Sequence, residues 1–343
     1  AVMSDGRPGR RWRNLYPLWY NRTVAEAMRS AGREGLLWGR SGWAGSQRYP
    51  AQWGGDPEAS VAGLATQLRA GISWGLSAPG VWGHDIGGFY GRGPSPELYV
   101  RWAQVGCLSP LTRFHGLSAR EPWRFGPKAE EVVRSFAELR YRLLPYLLSA
   151  AGEASRWGLP AMRSVAFEQP DDPALWRVEH EYLLGRDLLV VAVLSESPDP
   201  VDTPVVLPPG RWTDFWTGEQ LEGPRRMVVS VPLERIPLYV RAGAVVPMGP
   251  AGQHTGAIDP DEWELHWWPG PARPTTIVDG ELDFVYQPEG VSDPPYAPSS
   301  VAGVRIAASE PSPRARRAVA HLPGGAEVGI PLSREAPPRT GAP

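Results

Sequence analysis

The sequence predicts a parallel α/β layer that gives way to all-β sandwich structure. Apolar runs alternate with helix-periodic segments up to about residue 157, the alternation stops at Gly158, and short β-rich runs separated by turn residues follow. At 343 residues the chain exceeds what one hydrophobic core usually organises, so more than one domain is expected. The composition shifts place these at 1–157, 158–250 and 251–343.

In the first part, residues 23–31 read as a helix, and Leu36-Leu37-Trp38 as a strand ending in the loop Gly39-Arg40-Ser41-Gly42. A second helix fits 57–70, with Asp56 at its N-cap, Pro57 at its first position, and Val61, Leu64, Ala65 and Leu68 at helical spacing. Gly71 is its expected stop. Residues 72–82 then read as a buried strand closing in Gly83-His84-Asp85-Ile86-Gly87-Gly88, and a helix follows at 96–104. Cys107-Leu108 opens the next apolar stretch, which ends in Arg113-Phe114-His115-Gly116. A long helix over 129–157 carries Val132, Phe136, Leu139, Leu143 and Leu147 along one face, with a kink expected at Pro145.

Beyond Gly158, strands are expected at 188–194, 205–207, 227–231, 238–241 and 244–247, with a weaker β-pattern at 263–268 and 275–286. The last 30 or so residues, rich in Pro and Arg, are expected to be partly unordered.

The bulk numbers exclude several partners. A net charge of −2 offers no field for nucleic acid, and no run of about 18 apolar residues exists to span a membrane. Cys107 is the single cysteine, which favours a reducing, cytoplasmic compartment. The chain starts at Ala1 in mid-pattern, so an upstream amino terminus is expected. The 16 tryptophans suit stacking on sugar rings, but large aromatics also dominate cores, so their number decides nothing.

In parallel α/β structure, function sits where strands end and loops begin. The polar residues just after the apolar runs are Arg40, Asp56, Asp85, Arg113 and His115. Each has a plainer alternative: Asp56 reads equally as a helix cap, His84-Asp85 as a turn, and His115 as a satisfied, partly buried histidine. No two histidines are three or four residues apart, so no metal centre is expected. Nothing resembles a phosphate-binding glycine loop or a nucleophile elbow either.

The runs Arg40-Ser41-Gly42, Gly45-Ser46-Gln47-Arg48-Tyr49-Pro50 and Trp53-Gly54-Gly55-Asp56 resemble the catalytic segment of glycoside hydrolase family 31 α-glycosidases. Trp82-Gly83-His84-Asp85-Ile86-Gly87-Gly88-Phe89, Arg113-Phe114-His115-Gly116 and Arg120-Glu121-Pro122-Trp123 resemble the family's motifs in the same order. Gly210-Arg211-Trp212-Thr213-Asp214-Phe215-Trp216 and Tyr239-Val240-Arg241-Ala242-Gly243 are similar to the domain that follows the family's barrel. The resemblance covers about residues 1–250. It implies the C-terminal half of a (β/α)8 barrel followed by β-sandwich structure. It puts Asp56 on the general acid/base, and Arg40, Trp53, Asp85 and His115 on the subsite for the nonreducing-end sugar, with Arg113 a lesser member.

A retaining glycosidase needs a second carboxylate as nucleophile. Asp5 is superficially suited, but Asp5-Gly6-Arg7-Pro8-Gly9 through Tyr20-Asn21 matches the segment downstream of the family's nucleophile. That register sets the nucleophile roughly nine residues before Ala1. The implied activity is retaining, exo-acting release of α-linked xylose or glucose from an oligosaccharide or glycoside, without metal or organic cofactor. The rival is a noncatalytic carbohydrate-binding relative. Self-association is left open.

Overall fold

The computed structural model of the protein describes residues 2–33, 36–49, 51–77, 80–259, 262–271, 273, 275–279, 282–289, 305–308, 315–322 and 324–332. Helix α1 (Tyr16–Ser30) precedes three short parallel strands, β1 (Trp38–Gly39), β2 (Ala51–Trp53) and β3 (Val81–Gly83), which form one sheet in that order. Strands β4 (Asp85–Ile86) and β5 (Arg113–Phe114) pair in parallel beside them. Helices α2 (Val61–Ser77) and α3 (Pro96–Cys107) link these strands, and α4 (Pro127–Arg142) and α5 (Leu144–Trp157) follow. Parallel strands joined by helices are the α/β part that the sequence predicts.

The helix expected at 57–70 is corrected at both ends. Residues 57–60 are not helical, because they pair with the loop after β4: Phe89 and Tyr90 donate N–H bonds to Pro57 O at 2.7 and 3.2 Å, and Ala59 N–H donates to Tyr90 O at 2.9 Å. Ser60 then caps α2, its hydroxyl accepting from Gly63 N–H at 3.1 Å. Asp56 is therefore no helix cap. At the other end the helix runs through Gly71 to Ser77, so residues 72–77 are not a strand. A Cβ on Gly71 would lie 2.6 Å from the Trp82 indole, and this glycine thus serves close packing rather than termination.

Other differences are local. α1 begins seven residues before the expected start, at Tyr16, with Pro17 in its first turn. Cys107 and Leu108 close α3 instead of opening a strand. α3 itself is set by Ser95, whose hydroxyl accepts from Leu98 N–H at 3.2 Å, by Pro96 and by Glu97 in the first turn. The kink expected at Pro145 is a full break at Leu143, with Pro145 in the first turn of α5.

Beyond α5, β6 (Met162–Arg163), β7 (Glu181–Leu184), β8 (Leu188–Val191), β9 (Val201–Asp214), β10 (Gln220–Val231) and β11 (Leu238–Arg241) form an antiparallel sheet ordered β10-β9-β11-β8-β7-β6. A second sheet contains β12 (Val245–Met248) and β13 (Trp263–Trp267). β14 (Thr275–Asp279), β15 (Leu282–Glu289) and β16 (Arg305–Ala308) make a separate antiparallel sheet. β17 (Ala315–His321) and β18 (Glu327–Ile330) complete the second sheet, ordered β12-β13-β17-β18. Within the stretch expected to be partly unordered, residues 315–322 and 324–332 include β17 and β18, with Ala318, Val319 and Ala320 buried in the sheet; residues 333–343 lie outside the described residues.

One hydrophobic cluster joins the α/β layer to the sheets, running from Leu64, Trp102 and Phe136 to Leu188, Val240, Val246 and Trp268. Arg101 crosses the same seam. Buried on α3, it donates to Pro232 O and Arg235 O at 2.9 Å and to Val231 O at 3.1 Å, while Gln104 donates to Leu233 O at 2.7 Å. Burial pulls the Arg101 guanidinium down to about 10, and the three carbonyls compensate for its lost hydration.

Glu181 on β7 is fully buried. Its Oε1 accepts from Val206 N–H at 2.9 Å, whereas Oε2 has no hydrogen-bond partner among the described residues. Burial pushes this carboxyl up to about 8 against the opposing effects of that N–H and of Arg226. An acid whose pKa rises on folding stabilises the fold fully below its unfolded value near 4.5 and loses that contribution as pH rises through about 8. Glu181→Gln, which cannot ionise, is expected to leave stability little changed at pH 5 and to raise it by on the order of a few kcal/mol above pH 8. Denaturant titrations at both pH values check this; a difference that does not grow with pH refutes it.

Candidate active site

The carboxyl ends of the parallel strands gather the polar residues singled out in the sequence. Asp85 and Arg113 are register partners on β4 and β5, and Arg113 Nε and Nη2 both donate to Asp85 Oδ1, at 2.9 and 2.5 Å. Trp53, at the end of β2, lies beneath two cations: the Arg113 and Arg40 guanidinium carbons are 4.9 and 5.1 Å from its ring centroid. Arg113 also stands 4.9 Å over Trp38, at the start of β1. Arg40 Nη1 closes the group with an ion pair to Asp56 Oδ2 at 3.1 Å.

Burial divides the two carboxylates. Asp85 is wholly buried, while the Asp56 side chain keeps about a third of its surface exposed. Burial raises the Asp85 pKa; Arg113 and then His115 oppose the shift, and the nearby Asp56 charge adds to it. Asp85 Oδ2 has no donor, and Trp53 Nε1 no acceptor, among the described residues. Both atoms are buried, so a polyhydroxylated ligand reaches this unpaired acceptor and donor only by displacing the side chains that cover them. His115 is exposed and stacks obliquely on Phe89, with ring centroids 5.3 Å apart.

His84 stands apart from this chemistry. Trp102 Nε1 donates to its Nδ1 at 3.0 Å, and burial lowers its pKa to about 4, so it is a neutral core histidine. Asp5 also stays outside the cluster, accepting from Arg7 N–H within its own exposed turn.

The loop carrying Asp56 is shaped by contacts that local sequence signals do not reveal. Gly55 has φ +82°, and a Cβ there would come within 3.2 Å of Arg40 Nε; glycine lets the backbone pass under the guanidinium. Gly88, at φ +75°, packs on Ala59, where a Cβ would lie 2.4 Å from the Ala59 Cα. Arg120 fastens this region. It donates to Gly88 O from Nε and Nη2 at 3.1 and 2.6 Å, and to Ser118 O, Ser118 Oγ and Ala119 O from Nη1.

With this geometry in view, comparison with known proteins decides the family. Residues 3–150 match the glycosyl hydrolases family 31 TIM-barrel domain, and residues 158–246 match the glycosyl hydrolase family 31 C-terminal domain. The chain belongs to glycoside hydrolase family 31. Over 263 residues it is 34% identical to alpha-glucosidase 2 of Bacillus thermoamyloliquefaciens, covering 75% of this chain and 33% of that protein. Over 248 residues it is 37% identical to the alpha-xylosidase of Saccharolobus solfataricus, covering 70% and 34%. Its fold is similar to that of a GH31 dextranase from Flavobacterium johnsoniae complexed with glucose, with a TM-score of 0.72, 29% identity, and 81% and 37% of the two chains covered. This family 31 chain spans about a third of the length of the curated relatives named here. Strands β1 to β5 and helices α1 to α4 fall within the match to its barrel, and β6 to β11 within the match to its C-terminal domain. No helix among the described residues is long and apolar enough to cross a membrane.

Arg120→Ala removes five donated bonds from a buried guanidinium and leaves Gly88 O facing the cavity. It is expected to cost about 2–4 kcal/mol of stability, with Arg120→Lys restoring only part, as equilibrium denaturation would measure. A loss below about 0.5 kcal/mol would show that the loop is held by other contacts.

Proposed function

We propose that this chain forms the acid/base side of a retaining exo-α-glycosidase that releases α-linked xylose or glucose from the nonreducing end of an oligosaccharide or glycoside. The observation that carries the reading is the convergence of Asp56, Arg40, Trp53, Asp85 and Arg113 at the strand ends, with Asp85 Oδ2 unpartnered. The unit boundaries at 1–157, 158–250 and 251–343 belong to the same reading.

Asp56, in its protonated form, gives its proton to the glycosidic oxygen as the bond from that oxygen to the anomeric carbon breaks. The aglycone leaves as an alcohol, and the anomeric carbon bonds to a second carboxylate about 5 Å away. Water then attacks the same carbon, Asp56 takes its proton, and the sugar leaves with retained configuration. The attacking carboxylate is assigned to the part of a full-length polypeptide outside these residues. Asp85, held by Arg113, accepts from a sugar hydroxyl, and Trp53 presents its indole to the ring. Arg40 parts from Asp56 as substrate enters, and exposed His115 lines the same subsite. Two carboxyl groups suffice for this chemistry, so the reading includes no cofactor. It includes neither nucleic acid nor membrane as partner, and the single thiol of Cys107 is the basis for a cytoplasmic setting.

The test uses the polypeptide carrying the complete barrel. Asp56→Ala should lower kcat on unactivated glycosides by about 10²–10⁴-fold, and azide should restore turnover on an activated aryl glycoside, giving the α-configured glycosyl azide. Recovery of the β-azide would make Asp56 the nucleophile, and unchanged kcat would remove it from the chemistry. Asp85→Asn should lower kcat/KM by roughly ten- to hundred-fold through the lost charged hydrogen bond, and an unchanged value would exclude it from the subsite.

A further inference from the structure

The second sheet concentrates ligating side chains on one face, outside the site described above. Glu264 and His266 alternate on β13. Arg317 and His321 lie on β17, and Glu327 starts β18 as the register partner of His321. With a period of two, all five project to the same side of the sheet. His266 Nδ1 and His321 Nε2 face each other at 2.7 Å, and Glu327 Oε1 lies 3.4 Å from His321 Nδ1. One ligating atom from each of His266, His321 and Glu327 falls within 4.8 Å of the others.

We propose that His266, His321 and Glu327 bind one divalent cation of the zinc class, with Glu264 orienting His266. Two imidazole nitrogens with lone pairs cannot face each other at 2.7 Å unless a proton or a metal ion lies between them. Zn–N bonds of about 2.0–2.1 Å in tetrahedral geometry need nitrogens about 3.3 Å apart, so the rings part by less than about 1 Å to admit the ion.

The surroundings fix the tautomer this requires. Glu264 Oε2 is 3.2 Å from His266 Nε2 and accepts its proton, leaving Nδ1 as the ligating atom. Arg317 in turn holds Glu264 through Oε1 at 2.6 Å. Trp268 stacks on His321 at 4.1 Å between centroids and 6° between planes, which limits ring rotation. Glu327 is more than half exposed, and its carboxylate swings to the ion without disturbing the core.

The donor set also chooses the ion. Two imidazoles and one carboxylate suit zinc, cobalt or nickel, whereas calcium and magnesium prefer all-oxygen cages. The Arg142 charge is felt by both imidazoles and opposes any cation. Bound there, it would tie β13 to the β17–β18 hairpin across 55 residues of sequence. This proposal is independent of the glycosidase reading.

The test is direct titration of the chelator-stripped full chain with ZnCl2 against a chromophoric chelator, and with CoCl2 by visible absorption. The expected result is one ion per chain, tetrahedral cobalt bands, and a Tm raised by zinc. Glu264→Gln should weaken affinity ten- to hundred-fold. Glu327→Ala, at an exposed position, should weaken binding at least tenfold with an unchanged circular dichroism spectrum, and His321→Ala should abolish it. Absence of stoichiometric binding overturns the proposal and leaves a proton-bridged histidine pair. Binding that survives equally in Glu327→Ala and His321→Ala also overturns it, since the ion would then sit elsewhere.

Discussion

The pairing of residues 57–59 with 89–90 is the constraint on which the candidate site depends. Asp56-Pro57-Glu58 is by local rules a helix start, and a capping aspartate would commit its carboxylate to the N–H groups of the first turn. The Pro57 carbonyl instead accepts two N–H groups from the neighbouring loop, and the helix is delayed until Val61. Asp56 thereby meets Arg40. Gly88 makes this pairing sterically feasible and Arg120 locks it, so a motif after one strand positions a carboxylate after another.

Electrostatics at the strand ends follow from unequal burial. Asp85 gives up all contact with water and receives a two-point ion pair, while Arg113 is shared between that carboxylate and two indole faces. A planar guanidinium can do both at once, which an ammonium cannot. Arg113, a lesser member by resemblance, is thus the cation that binds β1, β2, β4 and β5 into one polar surface.

The sequence made the classes of element legible and misplaced several of their limits. Helix α3 was readable because Ser95, Pro96 and Glu97 act on their own first turn. Gly71 misled because its role is set by Trp82, which it meets only in the folded chain. Strands β9 and β10 extend well past the apolar runs that announced them, since long hairpin pairing tolerates the polar residues between. Asp56, Asp85 and Arg113 were visible because strand ends in parallel sheets collect chemistry. Arg120 acts on backbone carbonyls and the Ser118 hydroxyl, away from any strand end, and carries no such signal, and the His266–His321 pair joins residues too far apart for any spacing rule.

The seam at α3 bears on how such a protein can change. Arg101 and Gln104 reach carbonyls that belong to the β-sheet unit, and the hydrophobic cluster is continuous across the boundary. A recombination event that grafted this barrel half onto a foreign sandwich would strand a buried guanidinium without acceptors, a defect costing several kcal/mol. The contacts of Arg101 and Gln104 thus make the fit between the two parts a condition of the stability of each.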